Sequence, residues 1–243
     1  KSIINRMIRK YMRYPELIFA REDEGYKLLV DKMKLLNVKR TNDLVLYNRG
    51  IELKNIYNFE QQNFRKYNDA KGVAIIPNKN NFKHGNVKEI IKIYENIINK
   101  LTEENQIVYL LRHSFEDLEV CKIIKESFKE NNNVILIEDD LNCFEFEELV
   151  KKFDFLIASR YHSIIHAYKN GIPCIAIGWA VKYHELLLEF KQDNYIFDVR
   201  KKIDTDKLNT VIDNMLLNYK TESTTIKNNL YEKQKYNIFD LVL

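Results

Sequence analysis

Short apolar runs separated by longer amphipathic stretches set the rhythm of this chain. Six runs read as strands: Leu17 to Ala20, Gly72 to Pro77, Ile107 to Leu111, Val134 to Ile137, Phe155 to Ser159 and Cys174 to Gly178. Between and after them, apolar positions recur at i, i+3 and i+4. That period predicts helices over 23–36, 87–101, 115–129, 144–152, 162–169 and 183–190, with a late one over 205–217. Runs that are apolar throughout, rather than alternating, belong to strands covered on both faces, and helical links between them predict a parallel sheet. The expected fold class is therefore α/β, Rossmann-like from about Lys71 to Asn218.

The polar, Asn-rich segment from Asn48 to Lys71 breaks this rhythm and reads as a linker or inter-domain connection. The piece before it holds one strand-helix-strand unit, too little for a domain by itself. The expected division is 1–65 as the remnant or C-terminal part of an N-terminal Rossmann-like domain plus linker, 66–220 as a C-terminal Rossmann-like domain carrying the donor site, and 221–243 as a closing helix that follows a polar turn.

Composition narrows the class. With 243 residues, 45% apolar and 12% aromatic, the chain can bury a sizeable core. No apolar run approaches the roughly 20 residues needed to cross a bilayer. The start, KSIINRMIRKYMRY, is basic and amphipathic but lacks the apolar centre of a signal peptide. Cys121, Cys143 and Cys174 show neither CxxC spacing nor an even count, which argues against disulfides or structural zinc and fits a reducing cytoplasm. Lys+Arg 39 against Asp+Glu 35 is close to balance, and the lysines are scattered rather than gathered in a stripe, so nucleic acid is not an expected partner.

In open parallel sheets, ligands sit outside the carboxyl ends of the strands. The residues at those ends are Arg21 and Glu22, Asn78 and Lys79, Arg112 and His113, Glu138 to Asp140, Arg160 and His162, and Trp179 and Lys182. The set is rich in cations and imidazoles, which suits an anionic ligand. The stretch SRYHSIIHAYKNGIP sharpens this. A strand ending at Ser159 turns through Arg160 into a helix whose first turn holds His162 and Ser163, so free N–H groups and the positive dipole end lie beside a guanidinium. Gly171 at C′ and Pro173 beyond it then stop the helix after about two turns.

The segment SRYHSIIHAYKNGIPCIAIGWAVKYHELL resembles the signature of the polysaccharide pyruvyl transferases: Arg-x-His after a strand, a helix, Gly-x-Pro, a strand, then an aromatic with a lysine about three residues on. Here these are Arg160, His162, Gly171, Pro173, Trp179 and Lys182. Upstream, FARE followed by LLVDKMKLLNV and NDLVL resembles the family's Arg-Glu strand end and its following aspartate, at Arg21, Glu22 and Asp43. The resemblance spans roughly Leu17 to Asn218. The Gly- and Asn-containing loop that opens the family's first domain has no counterpart here, so an apparently shortened N-terminal domain is expected. The resemblance implies a GT-B-like architecture with the site in the cleft between domains. It also implies transfer of a pyruvyl group from phosphoenolpyruvate, as donor substrate and without a cofactor, to two hydroxyls of a sugar in a surface polysaccharide or glycolipid precursor. The product is a cyclic ketal and phosphate is released. His162 would be the general acid or base and Arg160 would hold the donor. Lys182, Arg112, His113, Trp179, Ser163 and Arg21 would bind substrate, and no metal is called for. The partners implied are phosphoenolpyruvate and a carbohydrate acceptor, with room for peripheral contact with a membrane-bound glycolipid; the oligomeric state is open.

Structural roles compete with several of these. Arg160 could tie its loop to a carboxylate such as Asp154. Ser114 and Asp117 read as a helix entry, and Glu138, Asp139 and Asp140 as favourable charge near a helix start. His166, four residues after His162, suggests a metal pair, but no HExxH pattern or third ligand accompanies it, and a packing role comes first. His184 reads as a surface residue and Cys174 as core. Two other functions stay open: a GT-B glycosyltransferase with a nucleotide-sugar donor, and a non-catalytic sugar-binding module.

Overall fold

The computed structural model of the chain describes residues 2–47, 66–235 and 238. Most of the Asn-rich segment, the junction placed at 65/66 and the end of the tail therefore lie outside the described residues.

Six short strands form one all-parallel sheet: β3 (Val73–Ile76), β4 (Val108–Leu111), β5 (Val134–Ile137), β6 (Phe155–Ala158), β7 (Cys174–Gly178) and β8 (Ile196–Asp198). Their spatial order is β5-β4-β3-β6-β7-β8. The chain winds outward from β3 in one direction and from β6 in the other, so the crevice between β3 and β6 is the switch point where α/β sheets place ligands. Five of the six strands are the apolar runs read from the sequence. The sixth, β8, escaped because IFD is only three residues long and lies at the sheet edge.

Both faces of the sheet are covered, which is why its strands read as continuously apolar. On one face Val73, Ile75, Val108, Leu110 and Ile157 pack against α3 (Val87–Glu103) and α4 (Asp117–Glu126). On the other, Ala74, Ile76, Leu111, Leu156 and Ala176 pack against α5 (Cys143–Val150), α6 (Tyr161–Lys169) and α7 (Val181–Glu189). The helix α8 (Thr205–Gln234) serves both. Leu208, Ile212 and Met215 from its first half join the first face, and Ile226 and Leu230 from its second half join the other. The expected polar turn before a closing helix is absent: residues 205–234 form one uninterrupted helix of about 45 Å. The sequence 219–225 is polar because that part is largely solvated, and nothing in it is a helix breaker.

The N-terminal part adds α1 (Ser2–Tyr11) and a small two-stranded parallel sheet, β1 (Ile18–Ala20) with β2 (Val38–Arg40). Between these strands α2 (Asp23–Lys27) runs into a π-helical turn over Leu28–Lys32. This is the expected strand-helix-strand unit, with its own apolar cluster of Ala20, Met33, Leu35 and Val38. Polar contacts hold it against the larger sheet. The Glu185 carboxylate of α7 accepts from the Asp23 and Glu24 N–H groups at 2.7 and 3.0 Å, capping α2. Lys233 of α8 reaches Asn42 and Glu189, and Gln234 donates to the Leu46 carbonyl.

Gly171 closes α6 with φ +70°, as the sequence predicted for a C′ glycine. A Cβ there would meet the Lys227 side chain of α8. Gly171→Ala is expected to cost about 1–2 kcal/mol for the left-handed backbone, read as a lower urea midpoint with unchanged slope. An unchanged midpoint would mean that the α6 terminus relaxes.

Candidate active site

The site forms where the end of β6 and the start of α6 meet three loops. Arg160 is the N-cap of α6, and its guanidinium is not free. Nε and Nη2 each donate to the Asp117 carboxylate at 2.8 Å, and Nη2 also donates to Glu116 at 2.6 Å. Asp117 is fully buried and accepts in addition from the backbone N–H of Lys79 at 3.0 Å and of Ser114 at 3.1 Å. One carboxylate thus ties together the loops after β3, β4 and β6. Arg160 is a tether, as the structural alternative had it, but to Asp117 and Glu116 rather than Asp154. Among the described residues only its Nη1 is left without a partner.

His162, the second residue of α6, is accessible, with its side chain 51% exposed. Its Nε2 lies 3.6 Å from Oδ2 of Asp43, too long for a direct hydrogen bond but close enough for strong electrostatic coupling. Asp43 is buried and also pairs with Arg21 Nη1 at 2.9 Å. Burial pushes the Asp43 carboxyl up, but the neighbouring His162, the Val45 N–H and Arg21 outweigh it and hold it at about 2. Asp43 therefore stays charged beside the imidazole at any physiological pH. The upstream Arg-Glu and Asp positions and the Arg-x-His helix, more than a hundred residues apart in sequence, meet at this carboxylate.

Tyr161 fills the other flank of His162, ring edge to ring face, with centroids 5.6 Å apart. Two cations lie over the Tyr161 ring: the Arg21 guanidinium at 4.6 Å and the Lys182 ammonium at 5.1 Å. Arg21 is shared between Glu22 and Asp43, whereas Lys182 has no carboxylate partner among the described residues. Burial, with the Arg21 guanidinium next in weight, pushes the Lys182 ammonium down; Glu22 opposes this. The N–H groups of Tyr161 and His162 at the start of α6 have no acceptor among the described residues. This face would be relieved by an anion.

Beside His162 a cavity of about 560 Å³ opens between the β4 and β5 loops and helices α5 and α6. Arg112, His113, Phe115, Phe146 and His166 line it together with His162, so three of the five histidines share one pocket. Arg112 donates to Asp140 at 2.8 Å and stacks over Phe115 at 4.5 Å. His166 Nδ1 lies 3.1 Å from Glu147, which Lys169 and Asn170 also engage. A capping box between Asn142 and Glu145 fixes the start of α5 and with it the pocket wall. Among the described residues no three His, Cys, Asp or Glu side chains are grouped to hold a metal ion.

Burial, with His166, Arg160 and His162 nearby, pushes the His113 imidazole down to about 4. An unfolded histidine takes up its proton near 6.5 and the folded one only near 4, so stability is complete above pH 6.5 and falls as pH drops through this window. Asp43 and Glu147, both held at about 2, act only at lower pH. His113→Gln is therefore expected to flatten urea midpoint against pH between about 6.5 and 4. An unaltered slope would show that another group titrates there.

Other candidates are already engaged or lie away from the site. Ser163 is fully buried and its hydroxyl donates to the Arg160 carbonyl at 2.6 Å, so it stabilises the helix start and cannot contact substrate. Trp179 stacks on His84 at 4.5 Å and leans on Tyr183, so its ring face is already covered. Glu138, Asp139 and Asp140 pair with Lys122, Lys66 and Arg112 respectively. His184 is exposed and Cys174 is buried. Asp117 and Tyr161 were not anticipated as site residues. The S-x-x-D spacing marks Asp117 as a helix-entry residue, but its pairing with an arginine 43 residues later has no local signal.

Likeness to solved structures fixes the architecture. The chain is similar to a UDP-GlcNAc 2-epimerase from Methanocaldococcus jannaschii, with TM-score 0.62 and 15% identity over 88% of this chain and 57% of that one. It is also similar to MnaA of S. aureus, solved with UDP, with TM-score 0.58 and 15% identity over 89% and 58%. A third is WaaG, a glycosyltransferase involved in lipopolysaccharide biosynthesis, with TM-score 0.52 and 14% identity over 92% and 60%. These are GT-B glycosyltransferases and epimerases, and the fold here is α/β and GT-B-like. The chain spans about three fifths of their length. No curated protein matches it by sequence. The family model for polysaccharide pyruvyl transferases matches residues 2–180, a span that includes both Arg21 to Asp43 and Arg160 to Trp179. The chain belongs to the polysaccharide pyruvyl transferase family.

Proposed function

We propose that the chain carries the donor and proton-transfer groups of an enzyme that moves a pyruvyl group from phosphoenolpyruvate to two hydroxyls of a sugar. The observation that carries this reading is Lys182: a partly buried ammonium with no carboxylate partner among the described residues, beside Arg21 and the start of α6. Such a cation calls for an anion, and phosphoenolpyruvate brings about three negative charges. In this reading Lys182 and Arg21 take its phosphate and carboxylate above Tyr161. Arg160, which the sequence suggested as donor ligand, holds α6 in place instead and leaves Nη1 for the ligand.

The chemistry then centres on His162. Its protonated ring delivers a proton to the methylene carbon of the enol, and the central carbon becomes oxocarbenium-like. One sugar hydroxyl attacks that carbon, forming a C–O bond and giving its proton back to the imidazole. The bond to phosphate then breaks, phosphate leaves with its electron pair, and the second hydroxyl closes the ketal. Its proton goes to the leaving phosphate. Asp43 stabilises the imidazolium stage by its fixed charge. The described residues before the Asn-rich segment are read as the remnant or C-terminal part of a first Rossmann-like domain, and the acceptor as a sugar of a cytoplasmic polysaccharide or glycolipid precursor.

A thermal-shift titration tests the donor assignment, since a ligand that binds only the folded state raises apparent stability. Phosphoenolpyruvate is expected to raise Tm in the unaltered protein and not in Lys182→Met, which keeps the apolar stem. An equal rise in both proteins, or a rise with nucleotide sugars only, would refute it.

A further inference from the structure

We infer that the cavity lined by His113, Phe115, Phe146 and His166, next to His162, takes the neutral sugar acceptor. The inference rests on the pyruvyl-transfer reading only for what is held over Tyr161.

The charged groups around this cavity are already paired and do not call for an anion. Its one arginine, Arg112, is already compensated by Asp140, and Glu116 and Asp140 both lie in the wall. Glu116 in turn is held by Arg160, so the wall offers a phosphate or carboxylate no unpaired guanidinium or ammonium. The groups left unengaged are hydroxyl-matching ones. His113 has no hydrogen-bond partner among the described residues, and at physiological pH its imidazole is neutral, offering one donor and one acceptor. Since Glu147 takes Nδ1 of His166, Nε2 is the nitrogen left for a ligand.

Shape points the same way. Phe115 is 74% exposed at the rim with Arg112 against one face, leaving the other for the apolar side of a pyranose ring. Phe146 lies deeper, edge-on to both His113 and His166. A volume of about 560 Å³ is ample for one or two sugar rings. His162 lines this cavity and also touches Tyr161, so a hydroxyl held here and a donor held over Tyr161 would share the imidazole.

Cys143 supplies the readout. It lines the cavity and is exposed, whereas Cys121 and Cys174 are buried. Alkylation of Cys143 by iodoacetamide, followed by mass spectrometry, therefore reports occupancy without needing turnover. Saturating methyl hexopyranosides or methyl N-acetylhexosaminides are expected to slow it several-fold for at least one sugar. Phosphoenolpyruvate should leave the rate unchanged, and Phe115→Ala, whose exposed ring the fold does not need, should abolish the protection. Protection by phosphoenolpyruvate or UDP in place of the glycosides would overturn the inference, and so would no protection by any glycoside. If glycosides protect while phosphoenolpyruvate gives no thermal shift, the cavity assignment stands and the donor reading fails. The reverse pattern sinks the cavity assignment alone.

Discussion

Replacing His162 with Ala is expected to lower turnover of phosphoenolpyruvate by about 10²–10⁴-fold, the range that positioned acid–base groups contribute. Stability should not change much, because the ring is half exposed and the nearby Asp43 keeps Arg21 and the Val45 N–H. Asp43→Asn preserves shape and removes the charge facing the imidazole. Its expected cost is about 10–100-fold, within the roughly 1–4 kcal/mol that a charge about 4 Å from another is worth between bulk water and a protein surface. Steady-state assays on both variants check this, with circular dichroism to show that the fold is kept. Full turnover in His162→Ala would remove the imidazole from the mechanism, and a Asp43→Asn loss larger than that of His162→Ala would mean that Asp43 acts directly.

Replacing Asp117 with Ala is expected to destabilise the protein by about 3–5 kcal/mol, because it strands a largely buried guanidinium whose main partner was that carboxylate. The same change leaves the Lys79 and Ser114 N–H groups without an acceptor. For a chain of this size that corresponds to roughly 6–20 °C in Tm. Arg160→Ala should cost a comparable amount by leaving the Asp117 charge buried and unpaired. The double variant should cost far less than the sum of the two, since each single change already breaks the same interaction. Additive losses would show that the two side chains stabilise different parts of the fold. Glu116, half exposed, contributes a surface pair worth little by comparison.

Much of the sheet was legible because its strands are buried on both faces and therefore carry no polar interruptions. The helix-stop at Gly171 and Pro173 was equally plain, since positive φ and a missing N–H are properties of single residues. What the sequence could not show is which charges are spent. Arg160, Arg112 and Lys182 read alike as cations at strand ends. Only the fold reveals that Asp117 and Asp140 neutralise the first two and that nothing described neutralises the third. Likewise Trp179 and Ser163 sit at promising positions, yet one is covered by His84 and the other is turned inward onto a carbonyl. The continuous α8 was missed because a solvated stretch of helix and a polar turn have the same composition.

Lys182, Arg21 and His162 are proposed to serve pyruvyl transfer from phosphoenolpyruvate. Carbon NMR tests it most directly: phosphoenolpyruvate labelled with carbon-13 at the enol carbon, incubated with the protein and a carbohydrate acceptor. The account predicts that the enol signal gives way to a ketal carbon with one phosphate released per ketal, and that Lys182→Met and His162→Ala suppress both. An enol signal that persists while a nucleotide sugar is consumed would contradict it.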